Sequence, residues 1–121
     1  RFPDMSAAYD QDLRTKAKKI AQQLGVQVKE GVYVGTSGPT FETPAEYRYF
    51  RRIGGDAVGM STVPEVIVAV HSGMRVFAIS IITDLGIEGI VDKVSHEEVQ
   101  RIADSVQPKM TAIMKGLIEE L

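Results

Sequence analysis

The sequence predicts an α/β fold in which a mixed, strongly twisted sheet is flanked by helices, and three observations carry that expectation. Stretches of helical apolar spacing alternate with short strand-like runs along the chain. The helix starts carry capping signatures. The run Val76-Phe77-Ala78-Ile79-Ser80-Ile81-Ile82 is apolar nearly throughout, as suits a strand covered on both faces in a sheet with parallel pairs. No internal repeat, low-complexity tract or linker divides residues 1–121, so they are read as one domain unit.

Taken in order, Leu13, Ala17, Ile20, Ala21 and Leu24 follow helical spacing, and Gly25 stands where a left-handed residue would end an amphipathic surface helix. Gly31 to Thr36 reads as a short strand, and Gly38-Pro39 forces a loop. Thr43-Pro44-Ala45-Glu46 combines a capping box with proline at the first helical position, and Gly54-Gly55 closes that helix. Asp56 to Met60 is a second apolar strand. Thr62 and Glu65, with Pro64 between them, predict another capping box on a helix reaching Ser72-Gly73. Arg75 to Ile82 is the third strand. Ser95 and Glu98 cap a last helix with apolar positions Val99, Ile102, Val106, Met110, Ile113, Met114 and Leu117, which Pro108 is expected to kink.

Composition excludes several classes of function. With 44% hydrophobic and 25% charged residues and a net charge of -2, the chain has the make-up of a soluble domain and no basic field for nucleic acid. Lys16, Lys18 and Lys19 fall on a solvated helix face. No apolar run is long enough to span a bilayer. The absence of cysteine removes disulfides and thiolate chemistry, and two histidines, His71 and His96, are too few for a structural zinc site. A cytoplasmic location is the default expectation. The chain opens on Arg1 rather than Met, so its first residue does not settle that address.

In parallel units the loops leaving the carboxyl ends of the strands share one edge of the sheet, where open α/β proteins bind ligands. Here those loops are Ser37 to Glu42, Ser61-Thr62 and Thr83 to Gly86, so Glu42, Ser61, Thr83 and Asp84 are candidates to converge. Taken singly, each has a plainer explanation. A first-turn carboxylate such as Glu42 stabilises a helix end, Ser61 or Thr62 caps a helix, Asp84 forms a turn, His96 is an exposed helix start and Phe41 is core.

The joint pattern is more specific. Arg1-Phe2-Pro3-Asp4-Met5-Ser6, Gly38-Pro39-Thr40-Phe41-Glu42-Thr43 and Asp56-Ala57-Val58-Gly59-Met60-Ser61-Thr62-Val63-Pro64-Glu65 together resemble the trimeric purine nucleoside phosphorylases, in order and in spacing. The resemblance implies a partial domain of the phosphorylase/hydrolase-like α/β fold, matching the carboxyl-terminal half of the family chain. Periodicity by itself would fit a flavodoxin-like sheet as well. The family activity is reversible phosphorolysis of purine nucleosides with phosphate as co-substrate, without metal or organic cofactor. Negative charge grows on the purine as it leaves, so hydrogen bonds to the departing ring lower the barrier.

Residue by residue, Glu42 matches the carboxylate that accepts from purine N1-H and from the exocyclic amine of guanine. Facing the bare N1 of adenine it would be an unpaired buried charge, which favours hypoxanthine and guanine. Phe41 matches an aromatic packed on the base; Tyr33, Val58 and Gly59 match the lining of the purine pocket. Met60 matches a position beside the ribose, Ser61 a phosphate contact, Thr83 a polar neighbour of the base, and His96 the histidine approaching the ribose 5'-hydroxyl. Asp84, with Glu42 and His96, is read as a catalytic position, but it departs from the pattern. Enzymes for 6-oxopurines carry asparagine there, and aspartate resembles the methylthioadenosine phosphorylases, which lack the glutamate. Two carboxylates on one ring also repel, which would leave one holding a proton for N7 or O6.

The resemblance also implies a homotrimeric parent about twice this length, whose other half supplies the main phosphate loop. The chain alone is therefore expected to be inactive. The alternatives are a methylthioadenosine phosphorylase and a non-catalytic purine-binding or assembly module.

Overall fold

The computed structural model describes residues 1–86 and 95–121. Its elements in chain order are α1 (Gln11–Gln23), β1 (Tyr33–Gly35), α2 (Pro44–Arg52), β2 (Ala57–Gly59), α3 (Val63–His71) and α4 (His96–Glu119). β1, α2 and β2 form a parallel crossover unit, with Tyr33, Val34 and Gly35 opposite Ala57, Val58 and Gly59. Helices and a parallel strand pair make this an α/β fold, as the sequence predicts.

Local chemistry explains most of the helix boundaries. Asp10 caps α1 by accepting from the Leu13 N–H at 2.9 Å. Beyond its last turn Gly25 takes φ +67°, where a side chain would be strained. The capping box of α2 is complete: Thr43 Oγ1 accepts from the Glu46 N–H at 3.2 Å, and the Glu46 carboxylate accepts from the Thr43 N–H at 2.6 Å. Those bonds from Thr43 hold the Glu46 carboxyl below its usual range. Ser95 caps α4 by accepting from the Glu98 N–H, and the helix runs through Pro108 rather than ending there.

The core lies between α1 and α4. Leu13, Ala17, Ile20, Ala21, Ile113 and Leu117 are buried against one another, with Val26, Val28, Phe77 and Ile79 packed around them. Arg75 fastens the next segment to this helix pair. Its guanidinium donates to both oxygens of Asp10 at 2.6 and 2.9 Å and to Asp12 at 2.8 Å, and the Asp10 N–H donates to the Val76 carbonyl at 2.8 Å. The hydrogen bonds from Arg75 are the main reason that the Asp10 and Asp12 carboxyls sit below the ordinary aspartate range.

Two expectations are corrected. Residues 75–82 do not form a strand paired within the described structure. Phe77 and Ile79 pack on the core, while Ala78, Ser80 and Ile82 are exposed, so one face is covered rather than two. The apolar run reports the burial potential of a strand, but a strand also needs a neighbour to complete its ladder. The second correction concerns Thr62, whose side chain makes no cap bond to α3. Its backbone is in the left-handed region at φ 76°, ψ -58°, and an N-cap side chain reaches back to the helix from extended backbone. The first two strands are also shorter than their apolar runs, because pairing extends only over three residues of each.

Candidate active site

Because β1 and β2 are parallel, the loops that follow them leave from the same edge of the pair. The Thr36 N–H donates to the Gly59 carbonyl at 2.9 Å, so the first loop begins directly beside the end of β2. Tyr33 lies against Gly59, where a Cβ would meet the phenol oxygen; only glycine lets the ring approach. The phenol thereby reaches Ser61, accepting from its N–H at 3.4 Å with the two hydroxyl oxygens 3.5 Å apart. Met60 packs on Gly38 and brings the two loops into contact.

Ser61, Thr62 and Val63 form a γ-turn of the rare positive-φ kind. The Val63 N–H donates to the Ser61 carbonyl at 2.8 Å around Thr62. A β-branched residue in this region stores about 1–3 kcal/mol of strain, which the surroundings must offset. The turn sets the Ser61 and Thr62 hydroxyls 3.1 Å apart at the start of α3 instead of committing one to the helix end. Beside them, a groove of about 410 Å³ runs between Glu65, Val66 and Ala69 on one wall and residues 76–78 on the other.

Glu42 and Glu46 line a second depression of about 80 Å³ together with Thr36, Ser37, Gly38 and Thr40. Glu42 is half-buried immediately before the Thr43 cap, and its Oε2 accepts from the Tyr47 hydroxyl at 3.4 Å. Burial, followed by the negative charges of Glu42 and Asp84, pushes the Tyr47 phenol up from its ordinary value, so it remains a donor. Asp84 accepts from the Thr83 hydroxyl at 2.8 Å. Gly86 lies against the Tyr47 ring, so the 83–86 loop and the Glu42 loop meet on one aromatic side chain.

The predicted site residues thus fall into two adjoining groups. Tyr33, Gly59 and Ser61 form one, and Glu42, Thr83 and Asp84, joined through Tyr47, form the other. Val58 is half-buried in β2 opposite Val34. Phe41 and Met60 are open to solvent, 47% and 45% exposed. His96 stands exposed at the first position of α4, and among the described residues no hydrogen bond joins it to these loops. Tyr47 is the participant that spacing does not reveal. The available signal is an aromatic residue one turn inside a well-capped helix, because helical side chains lean back toward the amino end. Among the described residues no group of three His, Asp or Glu is placed to hold a metal ion, and no helix is long and apolar enough to cross a membrane.

Comparison with known proteins supplies the family. The phosphorylase superfamily model matches residues 1–119. Purine nucleoside phosphorylase 1 of Bacillus subtilis is 50% identical over 121 residues, covering 99% of this chain and 44% of its own length. A crystal structure of a Schistosoma purine nucleoside phosphorylase with hypoxanthine superposes with a TM-score of 0.94 at 42% identity, over 99% of this chain and 44% of that one. The Schistosoma mansoni enzyme in complex with adenosine matches with the same TM-score, identity and coverage. The chain therefore spans less than half the length of these relatives.

Proposed function

The chain belongs to the phosphorylase superfamily, and from that premise we propose that it is the base-reading, carboxyl-terminal part of a purine nucleoside phosphorylase that cleaves inosine and guanosine. The observation that carries this reading is the convergence of Glu42 and the Thr83-Asp84 loop on Tyr47, next to the Tyr33–Ser61 contact at the edge of the parallel strand pair. One end of the site offers carboxylates to a ring bearing N–H groups; the other offers hydroxyls and a helix start to an anion.

In the proposed reaction, phosphate attacks the anomeric carbon of the ribose as the bond to the purine breaks, giving the free base and ribose 1-phosphate. The bonding electrons leave with the purine, and the proton that phosphate gives up as its oxygen joins the anomeric carbon goes to the departing base. Glu42 accepts from N1-H of hypoxanthine or guanine and holds the ring, while Asp84, oriented by Thr83, addresses the N7 side. Phe41, Val58 and Gly59 pack around the base, Met60 and His96 attend the ribose, and Ser61 contributes to phosphate binding. The remaining phosphate contacts come from outside this chain in the assembled protein, a cytoplasmic homotrimer of purine salvage. Phosphate is a co-substrate, and no organic cofactor or metal is needed.

Asp84 supports a second reading, in which 6-aminopurine nucleosides, including methylthioadenosine, are also turned over. A carboxylate on that side of the ring accepts from a 6-amino group but opposes a 6-oxo group. Glu42 decides between the two by its cost against an adenine N1.

The test is phosphate-dependent release of hypoxanthine from inosine by the longest natural polypeptide that contains this chain, compared with its Glu42→Gln variant. The proposal expects activity in the former and a loss of about 100-fold or more in kcat/KM in the latter, because a site built around a hydrogen bond to the substrate discriminates strongly when that bond is lost. Equal rates would exclude Glu42 from base recognition.

A further inference from the structure

Tyr47 occupies a position that the proposed reaction does not use. It lies in the first turns of α2, whose start is fixed by the reciprocal Thr43–Glu46 bonds, so its backbone is well anchored. From there its side chain leans toward the helix start and meets three things. Its hydroxyl donates to Glu42 Oε2 at 3.4 Å. Its ring lies on Gly86, where an added Cβ would overlap ring carbons. Its phenol lies within the electrostatic reach of Asp84. One half-buried side chain therefore touches the Glu42 loop and the loop that carries Thr83 and Asp84.

We propose that Tyr47 is a positioning residue that orients the Glu42 carboxylate and holds the 83–86 loop against it, so that Tyr47 helps set the preference between 6-oxo and 6-amino purines. This inference rests on the purine reading given above. A free carboxylate rotates and offers either oxygen to the ring. With Oε2 engaged by Tyr47, Oε1 is left to meet N1-H in one orientation, and the entropy of fixing the carboxylate is spent before the base arrives. The ring contact acts on the other side, because Gly86 can approach Tyr47 only while it lacks a side chain, which keeps Asp84 at a set distance from Glu42.

The experiment measures kcat/KM for inosine and adenosine in the longest natural polypeptide containing the chain, with Tyr47→Phe, Glu42→Gln, the double variant and Gly86→Ala. Tyr47→Phe keeps the ring and removes the hydroxyl, so it is expected to fold as the parent does. It should narrow the inosine-over-adenosine preference by about two- to fivefold, the effect of one long hydrogen bond at the weak end of the usual range. In the Glu42→Gln background the same substitution should have little further effect on preference, since Tyr47 acts through Glu42. Gly86→Ala should displace the ring and also narrow the preference. Unchanged preference in Tyr47→Phe, or an equal loss with and without Glu42, overturns the inference while leaving the purine reading intact. A parent protein inert toward all purine nucleosides refutes that reading and this inference with it.

Discussion

Replacing Ile113 by alanine tests the account of what holds the chain together. Ile113 is 1% exposed and packs in the α1–α4 cluster with Leu13, Ala17, Ile20, Ala21 and Leu117. Alanine removes three carbons, about 2.4 kcal/mol of transfer free energy at roughly 0.8 kcal/mol for each. A cavity term adds to this, because Ala17 and Ala21 have no side-chain reach with which to fill the space. The expected loss is about 3–4 kcal/mol, within the range for buried aliphatic residues. Ile118 provides the control: it lies on the same helix and is 64% exposed, so its alanine variant should stay within about 0.5 kcal/mol of the parent. Urea unfolding followed by far-ultraviolet circular dichroism reads both. A loss under about 1 kcal/mol for Ile113→Ala, or equal losses for the two variants, would refute the assignment of the core to this helix pair.

Thr43→Ala removes the hydroxyl half of the α2 capping box, leaving the Glu46 carboxylate on the residue-43 N–H, and should cost about 1 kcal/mol in the same assay, with no such capping loss expected from Thr62→Ala, since the Thr62 hydroxyl caps nothing. The Asp10 carboxyl is depressed by Arg75, so its contribution to stability is present above the unfolded aspartate value of about 4 and is lost as pH falls toward its lower folded value. Stability should therefore decline on acidification below about pH 4, and Arg75→Ala should flatten that decline; an unchanged acid limb in a melting series would count against the Arg75 clamp. Asp84→Asn should raise the ratio of inosine to adenosine turnover, because an amide donates to O6 where a carboxylate cannot. An unchanged ratio and pH profile would remove Asp84 from base recognition.

The parts of the fold that were legible in sequence are those determined by near neighbours. The Thr43-Pro44-Ala45-Glu46 start of α2 is written within four residues, and the structure forms every bond that this pattern implies. The helical spacing of Leu13, Ala17, Ile20 and Ala21 identified the buried face of α1 for the same reason. Residues 75–82 were misread because strand pairing depends on a distant partner, which local apolarity does not encode. The misreading of Thr62 has a different origin. A capping pattern competes there with the geometry needed to turn Ser61 and Thr62 at the end of β2, and the strained turn wins. At the site, the 83–86 loop follows no paired strand among the described residues and comes to Glu42 through Tyr47, whereas the meeting of the loops after β1 and β2 was foreseeable from the rule that loops gather at strand ends. Tyr47 was not, since an aromatic residue on an amphipathic helix ordinarily belongs to the core.

The most direct test of the central claim is phosphate-dependent base release from inosine, guanosine, adenosine and methylthioadenosine, run side by side on the longest natural polypeptide containing this chain. Cleavage of inosine and guanosine ahead of the two 6-amino substrates is expected, with Glu42 governing the choice. Preference for adenosine or methylthioadenosine would show that Asp84 governs the pocket and would contradict the substrate assignment.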